Sequence, residues 1–592
     1  MSRNREVARV LSELALLTEL DEGSPQAFRV RAYDNAARAV DGLATDVASM
    51  SPSQLVATKG IGKSTAQKIG EYLESGKIAK LERLRELFPP AYVELTRIPG
   101  LGPKRVAVLH EELGIGSVDD LRQAIEQQAL RALAGFGPKS EEKLIQAIER
   151  LGLSGKERRT PIEHALPVAR EIVAALASVE GVESIEYAGS LRRFRETIGD
   201  IDILVAARDR NAVMAEFLDL AVVKDVLGKG ETKSSVVTHG GMQVDLRVVD
   251  PDQYGAALLY FTGSKAHNIR LRQLALERDW TLNEYALSEV ESGKVVASKT
   301  EETIYEALGV SFIEPPLRED TGEIEAAQDG TLPDLVHLDD IKGDLHVHTD
   351  LSGDGHATLE DMLDALAARG MAYVGITDHG EDLRINGASR GQMLAQRKRI
   401  AGLANRYEGM RILHGCELNI DREGNLDYDH DFLMGFDWCV ASVHSLFDLD
   451  RDAQTRRVLA AIRHPAVNAI GHLTGRQIGS RPDIELDIDQ VIEAAVATGT
   501  ALEVNCHLRR LDVAPEVARR ATEAGAYLVI STDAHTVREL DQMRWGVLNA
   551  ERGWVDKSRV VNTWPADQFL NWVGAKRTMY AGTTAEPDLE GL

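Results

Sequence analysis

The feature that most constrains this chain is a pair of aspartates at the start of a strand-like run. Asp200 and Asp202 open an apolar, β-branched stretch that ends at Ala206. Side chains alternate along a strand with a period of two, so both carboxylates are expected on one face. Asp245 interrupts a second short apolar run and is expected to join them. Two unit charges about 4 Å apart repel by roughly 4 kcal/mol at an effective dielectric near 20, so the cluster predicts a divalent-metal site.

The residues just before these aspartates suit a nucleoside triphosphate. Gly189 and Ser190 predict a tight turn with available amides, and guanidinium groups follow at Arg192, Arg193 and Arg195. Two Mg²⁺ or Mn²⁺ ions about 3.5 to 4 Å apart would neutralise the attacking and leaving oxygens of an in-line displacement at phosphorus. For the Asp-x-Asp pattern alone, the alternative is an ordinary strand that ends in a solvated acidic turn.

From Gly189 to Asp202 the sequence resembles the nucleotidyltransferase signature of family X DNA polymerases, the relatives of polymerase beta. The resemblance implies two Mg²⁺ or Mn²⁺ ions held by the three aspartates, which are then the catalytic residues. It also implies a nucleotide site that is formed by Gly189, Ser190, Arg193 and Gly199.

Composition narrows the class of protein. A chain of 592 residues exceeds the roughly 250 to 300 residues of a single core, so we expect several domains. No apolar run reaches the roughly 20 residues that cross a bilayer, so we expect a soluble cytoplasmic protein with no membrane partner. The three cysteines are scattered, which argues against a disulfide framework or a zinc knuckle. The net charge of -25 is concentrated after residue 320, so any DNA contact nearer the start relies on backbone amides and a few cations.

The first 150 residues carry three similar glycine-rich turns, each leading into a helical stretch. The turns contain Gly60 and Gly62, then Gly100, Gly102 and Lys104, and more loosely Gly135 and Gly137. Glycine lets the backbone approach a ligand closely, and the amides that begin the next helix point at an anion, so each turn suits one DNA phosphate. The repeat resembles the helix-hairpin-helix motif, whereas a single copy also suits an ordinary turn between helices.

Lys68 lies within the first of these segments. In family X proteins the lysine at this place forms the Schiff base that removes a deoxyribose phosphate, and Tyr33 also fits that pattern. Phe28 stands where the mammalian relative has a histidine. The resemblance therefore leaves two roles for Lys68, a lyase nucleophile or a helix lysine that contacts phosphate.

Two aromatic residues and a glycine follow the third aspartate. Tyr260 and Phe261 before Gly263 suit a sugar that packs against the backbone at a turn. The resemblance to family X polymerases extends here, and it implies that the two aromatic residues flank the sugar of the incoming nucleotide. It further implies that Asn268 faces the base and that Arg272 contacts the template. A turn in an aromatic core is the alternative.

A second set of candidate residues begins after residue 340, where eleven of the sixteen histidines lie. His346 and His348 are two apart in a strand-like run, so both imidazoles are expected to point at one place. Most of the later histidines and acids follow short apolar runs, such as Tyr373 to Ile376 and Tyr527 to Ile530, that alternate with helical stretches. This pattern predicts a β/α repeat, in which ligands gather at the carboxyl ends of the strands.

The second set resembles the PHP phosphoesterase domain, a distorted barrel of seven strands with three metals. The resemblance implies a first metal held by His346, His348, Glu417 and Asp533. It implies a second metal at Glu417, His444 and His472, and a third at Asp354, His379 and His535. Imidazole and carboxylate suit Mn²⁺, Zn²⁺ or Fe²⁺, and the ligand types do not choose among them. His356 and His464 match no ligand position.

The expected fold is a multidomain chain with α-helical, α+β and α/β parts. The predicted domains are 1–90, an amino-terminal helix-hairpin-helix domain; 91–154, a duplex-binding helix-hairpin-helix domain; 155–250, an α+β nucleotidyltransferase palm; 251–317, a thumb; 318–340, a linker; and 341–592, an α/β PHP domain with a distorted seven-stranded barrel. The linker prediction rests on the loss of periodicity from Pro315 to about Leu338.

The expected function is DNA-directed DNA polymerisation that fills short gaps in repair, by a monomer that binds gapped or nicked duplex DNA and dNTPs. The PHP domain is expected to hydrolyse phosphodiesters, as a 3′-5′ exonuclease and an abasic-site endonuclease. One alternative is a DNA-end-binding protein with an inactive palm and a PHP domain that acts on phosphomonoesters. Another is a template-independent nucleotidyltransferase. Primer extension on gapped duplex and on single strands distinguishes the three.

Overall fold

The computed structural model describes residues 3–580, except 23–27, 42, 44, 89–94, 96–97, 99–100, 134, 151–158 and 384. Gly100 therefore lies outside the described residues, and so does the side chain of Lys104. The chain divides into two compact units, Met1–Arg158 with Gln477–Pro482, and Arg159–Arg476 with Asp483–Leu592. Among the described residues, no helix is both long and apolar enough to cross a membrane.

Between residues 3 and 150 the described part of the first unit is built of helices joined by turns. Its helices are Arg3–Glu22, Phe28–Asp41, Pro52–Ala57, Lys63–Ser75, Ala79–Leu87, Pro103–Leu113, Val118–Glu126 and Pro138–Arg150. Local signals fix several ends: Ser51 and Gln54 form a capping box, and Gly76 ends the helix that carries Lys68 in a left-handed conformation. Buried apolar side chains such as Leu11 and Ile69 hold these helices together.

The second unit begins with a palm built on a five-stranded mixed sheet. Its strands, with a two-stranded ribbon of β1 and β3, are β1 (Thr160–Pro161), β2 (Val182–Tyr187), β3 (Thr197–Ile198), β4 (Ile201–Ala207), β5 (Val223–Lys229), β6 (Lys233–Thr238) and β7 (Gln243–Val249). The sheet order is β2-β4-β7-β6-β5, with β4 and β7 parallel and the other pairs antiparallel. The palm helices are Ile162–Leu176, Gly189–Arg192 and Arg210–Asp219. The β-branched run after Asp202 is buried, as its sequence predicts.

The thumb follows the palm. Its helices are Tyr254–Thr262, Lys265–Leu276 and Glu301–Ala307, and its small antiparallel sheet is formed by β8 (Trp280–Leu282), β9 (Leu287–Glu289) and β10 (Val295–Ala297). Its core is apolar and includes Leu259, Leu271 and Ile304.

The segment from Pro315 to Leu338, which the sequence predicts as an aperiodic linker, contains a helix at Glu323–Asp329. Ile324 and Ala327 of this helix are buried in the core of the thumb. A helix of seven residues is too short for a clear periodic signal, and tertiary packing fixes its conformation. The segment is therefore not an aperiodic coil, whereas the domain boundaries themselves stay predictions.

The carboxy-terminal part is a parallel sheet of seven strands in sequential order, as the β/α pattern predicts. The strands are β11 (Gly343–Val347), β12 (Tyr373–Ile376), β13 (Arg411–Asn419), β14 (Trp438–Ser442), β15 (Ala469–Gly471), β16 (Ala501–Asn505) and β17 (Leu528–Ser531). Just beyond β17, Asp533 N donates to His346 O at 2.9 Å, so the last strand meets the first and the barrel is nearly closed. The helices are Leu359–Ala368, Arg390–Leu403, His430–Leu433, Arg451–Arg463, Ile488–Thr498, Pro515–Glu523, Met543–Arg552 and Ala566–Tyr580.

Candidate active sites

The three aspartates of the palm converge at one end of the β4–β7 pair. Asp202 lies directly opposite Asp245 in the parallel register of these strands, and Asp200 immediately precedes β4. Asp200 is exposed, Asp202 is half-buried and Asp245 is buried. The structure thus brings together the carboxylates that the period of two predicts, with one side of the cluster open to solvent.

The electrostatics of this cluster favour a cation. Burial, followed by the charges of Asp200 and Asp245, raises the pKa of Asp202 to about 7. Lys233 Nζ lies 2.6 Å from Asp245 Oδ2, and Gln243 Nε2 donates to Asp245 Oδ1 at 3.0 Å. Burial acts to raise the pKa of Asp245, but Lys233 and Gln243 outweigh it and lower that pKa. Oxygen ligands that repel one another and already attract a lysine fit Mg²⁺ or Mn²⁺.

Gly189 makes a close approach that a larger residue would block. Its φ is +62°, and a Cβ there would lie 2.7 Å from Asp202 Oδ2. The neighbouring Ala188 N donates to Asp202 O at 2.8 Å, which fixes the turn that carries Ser190 against β4. Gly199 lies in the turn between β3 and β4. The backbone of this segment is therefore held beside the aspartates, as the nucleotide-site prediction requires.

The three arginines of the turn have different partners. Arg192 makes a bidentate contact with Glu301, with N–O distances of 3.0 and 2.7 Å, so it braces the palm against the thumb. Arg193 Nε donates to Glu319 Oε1 at 3.0 Å, and Arg195 Nη1 lies 3.8 Å from the same oxygen. Glu319 therefore holds the guanidinium that the resemblance assigns to the triphosphate.

The thumb residues singled out from the sequence form one cluster. The rings of Tyr260 and Phe261 meet edge to face at 5.0 Å, and Arg272 lies 5.3 Å above Tyr260. Asn268 Nδ2 donates to Tyr260 O at 2.8 Å. Gly263 ends their helix with a φ of +69°. The aromatic pair is half-buried, which leaves part of each ring available to a ligand.

The glycine-rich turns of the first unit lead into helices whose first amides lack a side-chain cap. Gly62 begins Lys63–Ser75 and Gly102 begins Pro103–Leu113, each without a side-chain cap bond. Gly60 has a φ of +92°, which favours glycine. Uncapped amides at a helix start suit an anion, which agrees with a phosphate role for these turns.

Lys68 lies in the helix after the first turn and is half-buried, with its Nζ 3.7 Å from Glu71 Oε2. Tyr33 is buried in a core of the same unit. Phe28, at the position where the mammalian relative has histidine, is 81% exposed. The geometry leaves both roles of Lys68 open.

Glu417 is at the centre of the second site. It lies in β13 and is buried. His346 Nε2 and His348 Nε2 are 3.3 and 3.4 Å from Glu417 Oε2, whereas His444 Nε2 and His472 Nε2 are 3.1 and 3.0 Å from Oε1. The two carboxylate oxygens face different imidazoles, so Glu417 could serve as a ligand in two metal sites.

Asp533 completes the first group, with its Oδ1 3.3 Å from His348 Nε2 and 3.6 Å from His346 Nε2. The ligand atoms of these three residues and Glu417 all lie within 4.8 Å of one another. This is the ligand set that the resemblance implies for the first metal.

A further group lies around His379 and His535. Their Nε2 atoms are each 3.6 Å from an oxygen of Asp354, and His348 shares a cluster with both imidazoles. His379 Nδ1 is also 2.9 Å from Glu417 Oε2, so this group adjoins the central carboxylate. All nine predicted ligands therefore meet in one region.

These ligands lie where the strands end. His472 directly follows β15 and Asp533 follows β17, with φ values of +25° and +55°. Such conformations are uncommon for residues other than glycine, and they concentrate at functional sites. Asp354 and His379 lie in loops after β11 and β12.

The side chains present fit divalent metals. The buried atoms that make no hydrogen bond to any described residue include His346 Nε2, His348 Nε2, Asp354 Oδ1 and Glu417 Oε2. Buried polar atoms normally have partners, so converging atoms without one indicate a bound ion. Burial, then His535 and His379, lowers the pKa of His348 to about 4, so its imidazole is neutral and can coordinate. His356 and His464 belong to none of these groups.

Several residues that contact the predicted site residues, among them Glu503, Lys233 and Glu319, were not predicted from the sequence. Glu503 is an acid inside the apolar run of β16, so the signal that revealed Asp245 would have found it. Lys233 and Glu319 carried no comparable signal, because their partners are distant in sequence or lie on a neighbouring strand.

Fold and geometry define a chain that joins a nucleotidyltransferase palm to a metal-dependent phosphoesterase barrel. Four families match parts of it. They are the helix-hairpin-helix domain at residues 2–78, the SAM-like helix-hairpin-helix tandem at 92–150, the DNA polymerase beta thumb at 257–319 and the PHP domain at 344–507.

Individual proteins agree with this division. DNA polymerase/3′-5′ exonuclease PolX of Bacillus subtilis (strain 168) is 40% identical over 562 residues, 94% of this chain and 97% of that protein. DNA polymerase lambda of Rattus norvegicus is 26% identical over 340 residues, 52% of this chain and 56% of that protein. A probable phosphatase of Thermoanaerobacter sp. (strain X514) is 28% identical over 240 residues, 37% of this chain and 89% of that protein. The chain belongs to the bacterial family X DNA polymerases that carry a carboxy-terminal PHP domain.

Proposed function

We propose that this chain fills short gaps in duplex DNA during repair and shortens 3′ ends with its PHP domain. The observation that carries the proposal is the presence, in one chain, of three converging palm carboxylates and a separate group of imidazoles and carboxylates around Glu417. The Bacillus relative is named for the same two activities, polymerase and 3′-5′ exonuclease.

For polymerisation, we assign two Mg²⁺ or Mn²⁺ ions to Asp200, Asp202 and Asp245. Such ions, when bound, neutralise the attacking and leaving oxygens. Arg193 contacts the triphosphate after exchanging Glu319 for phosphate, and the backbone of Gly189 and Ser190 donates to it. The rest of the nucleotide is placed by the thumb: Tyr260 and Phe261 support the sugar, Asn268 faces the base and Arg272 contacts the template.

For hydrolysis, we assign three divalent ions to the nine residues around Glu417, with Mn²⁺, Zn²⁺ and Fe²⁺ as candidates. The ions, when bound, activate water and polarise the phosphodiester. Glu417 would supply a ligand to two of them, because Oε2 faces His346 and His348 whereas Oε1 faces His444 and His472. The neutral imidazole of His348 serves as a ligand without first losing a proton. We also propose abasic-site endonuclease activity for this site.

For DNA binding, the glycine-rich turns at Gly60, Gly62 and Gly102 contact phosphates, and these contacts do not depend on the base sequence. We propose gapped or nicked duplex DNA and dNTPs as substrates, a monomeric protein, and work in the cytoplasm where bacterial DNA lies.

The decisive assay uses the intact chain and a labelled primer in a duplex with a short gap, with and without dNTPs, under Mg²⁺ and Mn²⁺. We expect gap filling with dNTPs and shortening of the primer without them. Equal extension of a single-stranded primer would favour a template-independent nucleotidyltransferase instead. No extension on any DNA would favour an end-binding protein with an inactive palm.

The similarity to a probable phosphatase supports a second candidate for the PHP domain, hydrolysis of phosphomonoesters. We expect the intact chain to cleave bis(p-nitrophenyl) phosphate, a diester, faster than p-nitrophenyl phosphate under Mn²⁺. The opposite order would assign the site to small monoesters.

The role of Lys68 has a direct chemical test. Borohydride trapping on a 5′-deoxyribose-phosphate end is expected to give a covalent adduct that disappears in Lys68→Ala, because only an amine nucleophile forms a reducible Schiff base. Lys63→Ala, which changes an exposed lysine of the same helix, is the matched control and should keep the adduct. An adduct that persists without Lys68 moves the role to another amine.

A further inference from the structure

Strand β16 holds no residue of the nine-ligand set, yet its Glu503 contacts two of those ligands. Glu503 is fully buried. Its Oε1 accepts from His346 Nδ1 at 2.7 Å, and its Oε2 accepts from the backbone N–H of His472 at 2.7 Å. Asn505 Nδ2 donates to Glu503 Oε2 at 3.1 Å as well.

These contacts fix the proton on His346. A carboxylate has only acceptors, so the hydrogen bond to Glu503 requires the proton of His346 on Nδ1. In the neutral imidazole the lone pair is then on Nε2, the buried atom that has no hydrogen-bond partner among the described residues and lies 3.3 Å from Glu417 Oε2. His346 is thereby held in the tautomer and orientation that a metal ligand needs.

Asn505 extends the same support to a second ligand. Its Nδ2 lies 3.1 Å from Glu503 Oε2 and 3.1 Å from Asp533 Oδ2, so one amide group bridges the two carboxylates. Asp533 keeps its Oδ1 turned towards His346 and His348. Two residues of β16 thus contact ligands that arrive from three other strand ends.

We propose that Glu503, with Asn505 as its bridge to Asp533, is a positioning residue that sets the metal affinity of the PHP site. The inference rests on the proposed metal-dependent function of that site. Glu503 lies outside the groups of candidate metal ligands found among the described residues, and its two oxygens accept hydrogen bonds from His346 Nδ1 and His472 N. Its role is to keep His346, His472 and Asp533 in register while the ion binds.

Glu503→Gln tests the proposal with almost no change in volume. Glutamine has one acceptor and one donor at the positions of the two oxygens. If its oxygen faces His346, its NH₂ group meets the donors of His472 and Asn505. If it is reversed, NH₂ faces His346 Nδ1 and drives the imidazole proton to the metal-binding Nε2. Either arrangement disturbs a ligand.

The measurement is Mn²⁺ binding to the metal-free full-length chain, by calorimetry and by the signal of free Mn²⁺ in electron paramagnetic resonance. All proteins carry Asp202→Ala, so that the palm does not contribute. We expect Glu503→Gln to weaken at least one Mn²⁺ site by about 10- to 100-fold, because the loss of a hydrogen-bond partner of a metal ligand commonly has an effect of this size. In DNA hydrolysis, the half-saturating Mn²⁺ concentration should rise while the rate at saturating Mn²⁺ largely recovers.

The thumb supplies a matched control. Glu323 is buried and accepts from His267 Nδ1 at 2.7 Å, the same kind of carboxylate–imidazole pair, and neither residue is a metal ligand. Glu323→Gln should lower stability but leave Mn²⁺ affinity at the parent value. Asn505→Ala removes the amide that bridges Glu503 and Asp533, together with the Oδ1 that accepts from His507 N. It should weaken Mn²⁺ binding severalfold, and it decides the question if Glu503→Gln does not fold.

Parent-like Mn²⁺ affinity in the folded Glu503→Gln and Asn505→Ala chains would overturn the proposal, and so would an equal loss in Glu323→Gln. The binding measurement needs no DNA. Weaker Mn²⁺ binding in a protein whose parent does not hydrolyse DNA would leave this inference standing and would instead reject the proposed function.

Discussion

The palm and PHP sites solve the same problem, concentrating negative charge around cations, in different environments. In the palm, Asp200 is exposed and Asp245 is paired with Lys233 at 2.6 Å. In the PHP site, His346, His348 and Glu417 are almost fully buried, and His346 Nδ1 donates to Glu503 of β16. The palm offers hard oxygen ligands at an open edge, whereas the PHP site offers mainly imidazoles in a fixed pocket.

This difference bears on how long metal ions stay bound at each site. An open carboxylate cluster that already attracts a lysine gains ions together with a triphosphate, which brings its own negative oxygens. A buried group with unpartnered ligand atoms offers its ligands to metal without any substrate. We infer that palm metals exchange with each nucleotide and that PHP metals are resident.

The largest expected effect separates the two sites outright. Asp202→Ala should lower primer extension by at least about 100-fold, because loss of the metal clamp costs several kcal/mol of transition-state stabilisation, while DNA hydrolysis stays within about twofold of the parent. Glu417→Ala should do the reverse. Both rates are measured on the same labelled gapped duplex. Loss of both activities in either variant would show that the two sites are not separate.

The next prediction concerns the exchange of Glu319 for phosphate at Arg193. Arg193→Ala should raise KM for dNTP by about 10- to 100-fold, because a charge-assisted hydrogen bond contributes roughly 1.5 to 3 kcal/mol. Glu319→Gln should lower KM for dNTP, because the guanidinium no longer has to leave a carboxylate. Steady-state gap filling at varied dNTP checks both. An unchanged dNTP dependence in Arg193→Ala would remove this residue from the triphosphate site.

Much of this comparison was readable from the sequence, because it depends on local periodicity. The period of two placed Asp202 on the face where Asp245 lies opposite, and the β/α alternation placed the PHP ligands at strand ends. What was not readable depends on tertiary contacts. Glu319 meets Arg193 across 126 positions of the chain, and the Glu323–Asp329 helix is ordered by thumb packing.

pH should affect metal loading differently at the two sites. Burial, then Asp200 and Asp245, raises the pKa of Asp202 to about 7, so below that pH a proton competes with the metal. The half-saturating Mg²⁺ for primer extension should therefore rise by up to about tenfold per pH unit below 7 and level off above it. At His379, burial would lower the pKa, but Glu417 and Asp354 raise it to about 10.

A protonated imidazole does not coordinate, so the apparent Mn²⁺ affinity for hydrolysis should keep rising between pH 7 and 8.5. Metal titrations of both activities at pH 6, 7, 8 and 8.5 provide the measurement. If metal affinity changed with pH in the same way for both activities, the predicted difference in proton competition between the two sites would be wrong.

The smallest expected effect concerns a palm turn, Phe194 to Glu196, that contacts the barrel. Arg476, four residues after the ligand His472, is buried, and its Nη2 lies 2.7 Å from Glu196 Oε1. Arg476 Nε also donates to Arg510 O at 2.9 Å. Because that carbonyl still anchors the guanidinium, Glu196→Gln should leave both activities within about twofold and lower the free energy of unfolding by about 1 to 3 kcal/mol.

Phe194, two residues before Glu196, stacks on Trp545 at 5.9 Å, and Arg552 donates to its carbonyl at 3.3 Å, so the turn keeps other contacts with the barrel when the ion pair is weakened. Denaturant unfolding, dNTP-dependent gap filling and Mn²⁺-dependent hydrolysis are measured on the same preparations. A fall of more than about fivefold in hydrolysis with normal folding would mean that the Glu196–Arg476 contact supports the loop after His472. The two sites would then be coupled through Glu196, and the inference that PHP metals are resident and independent of the palm would fail.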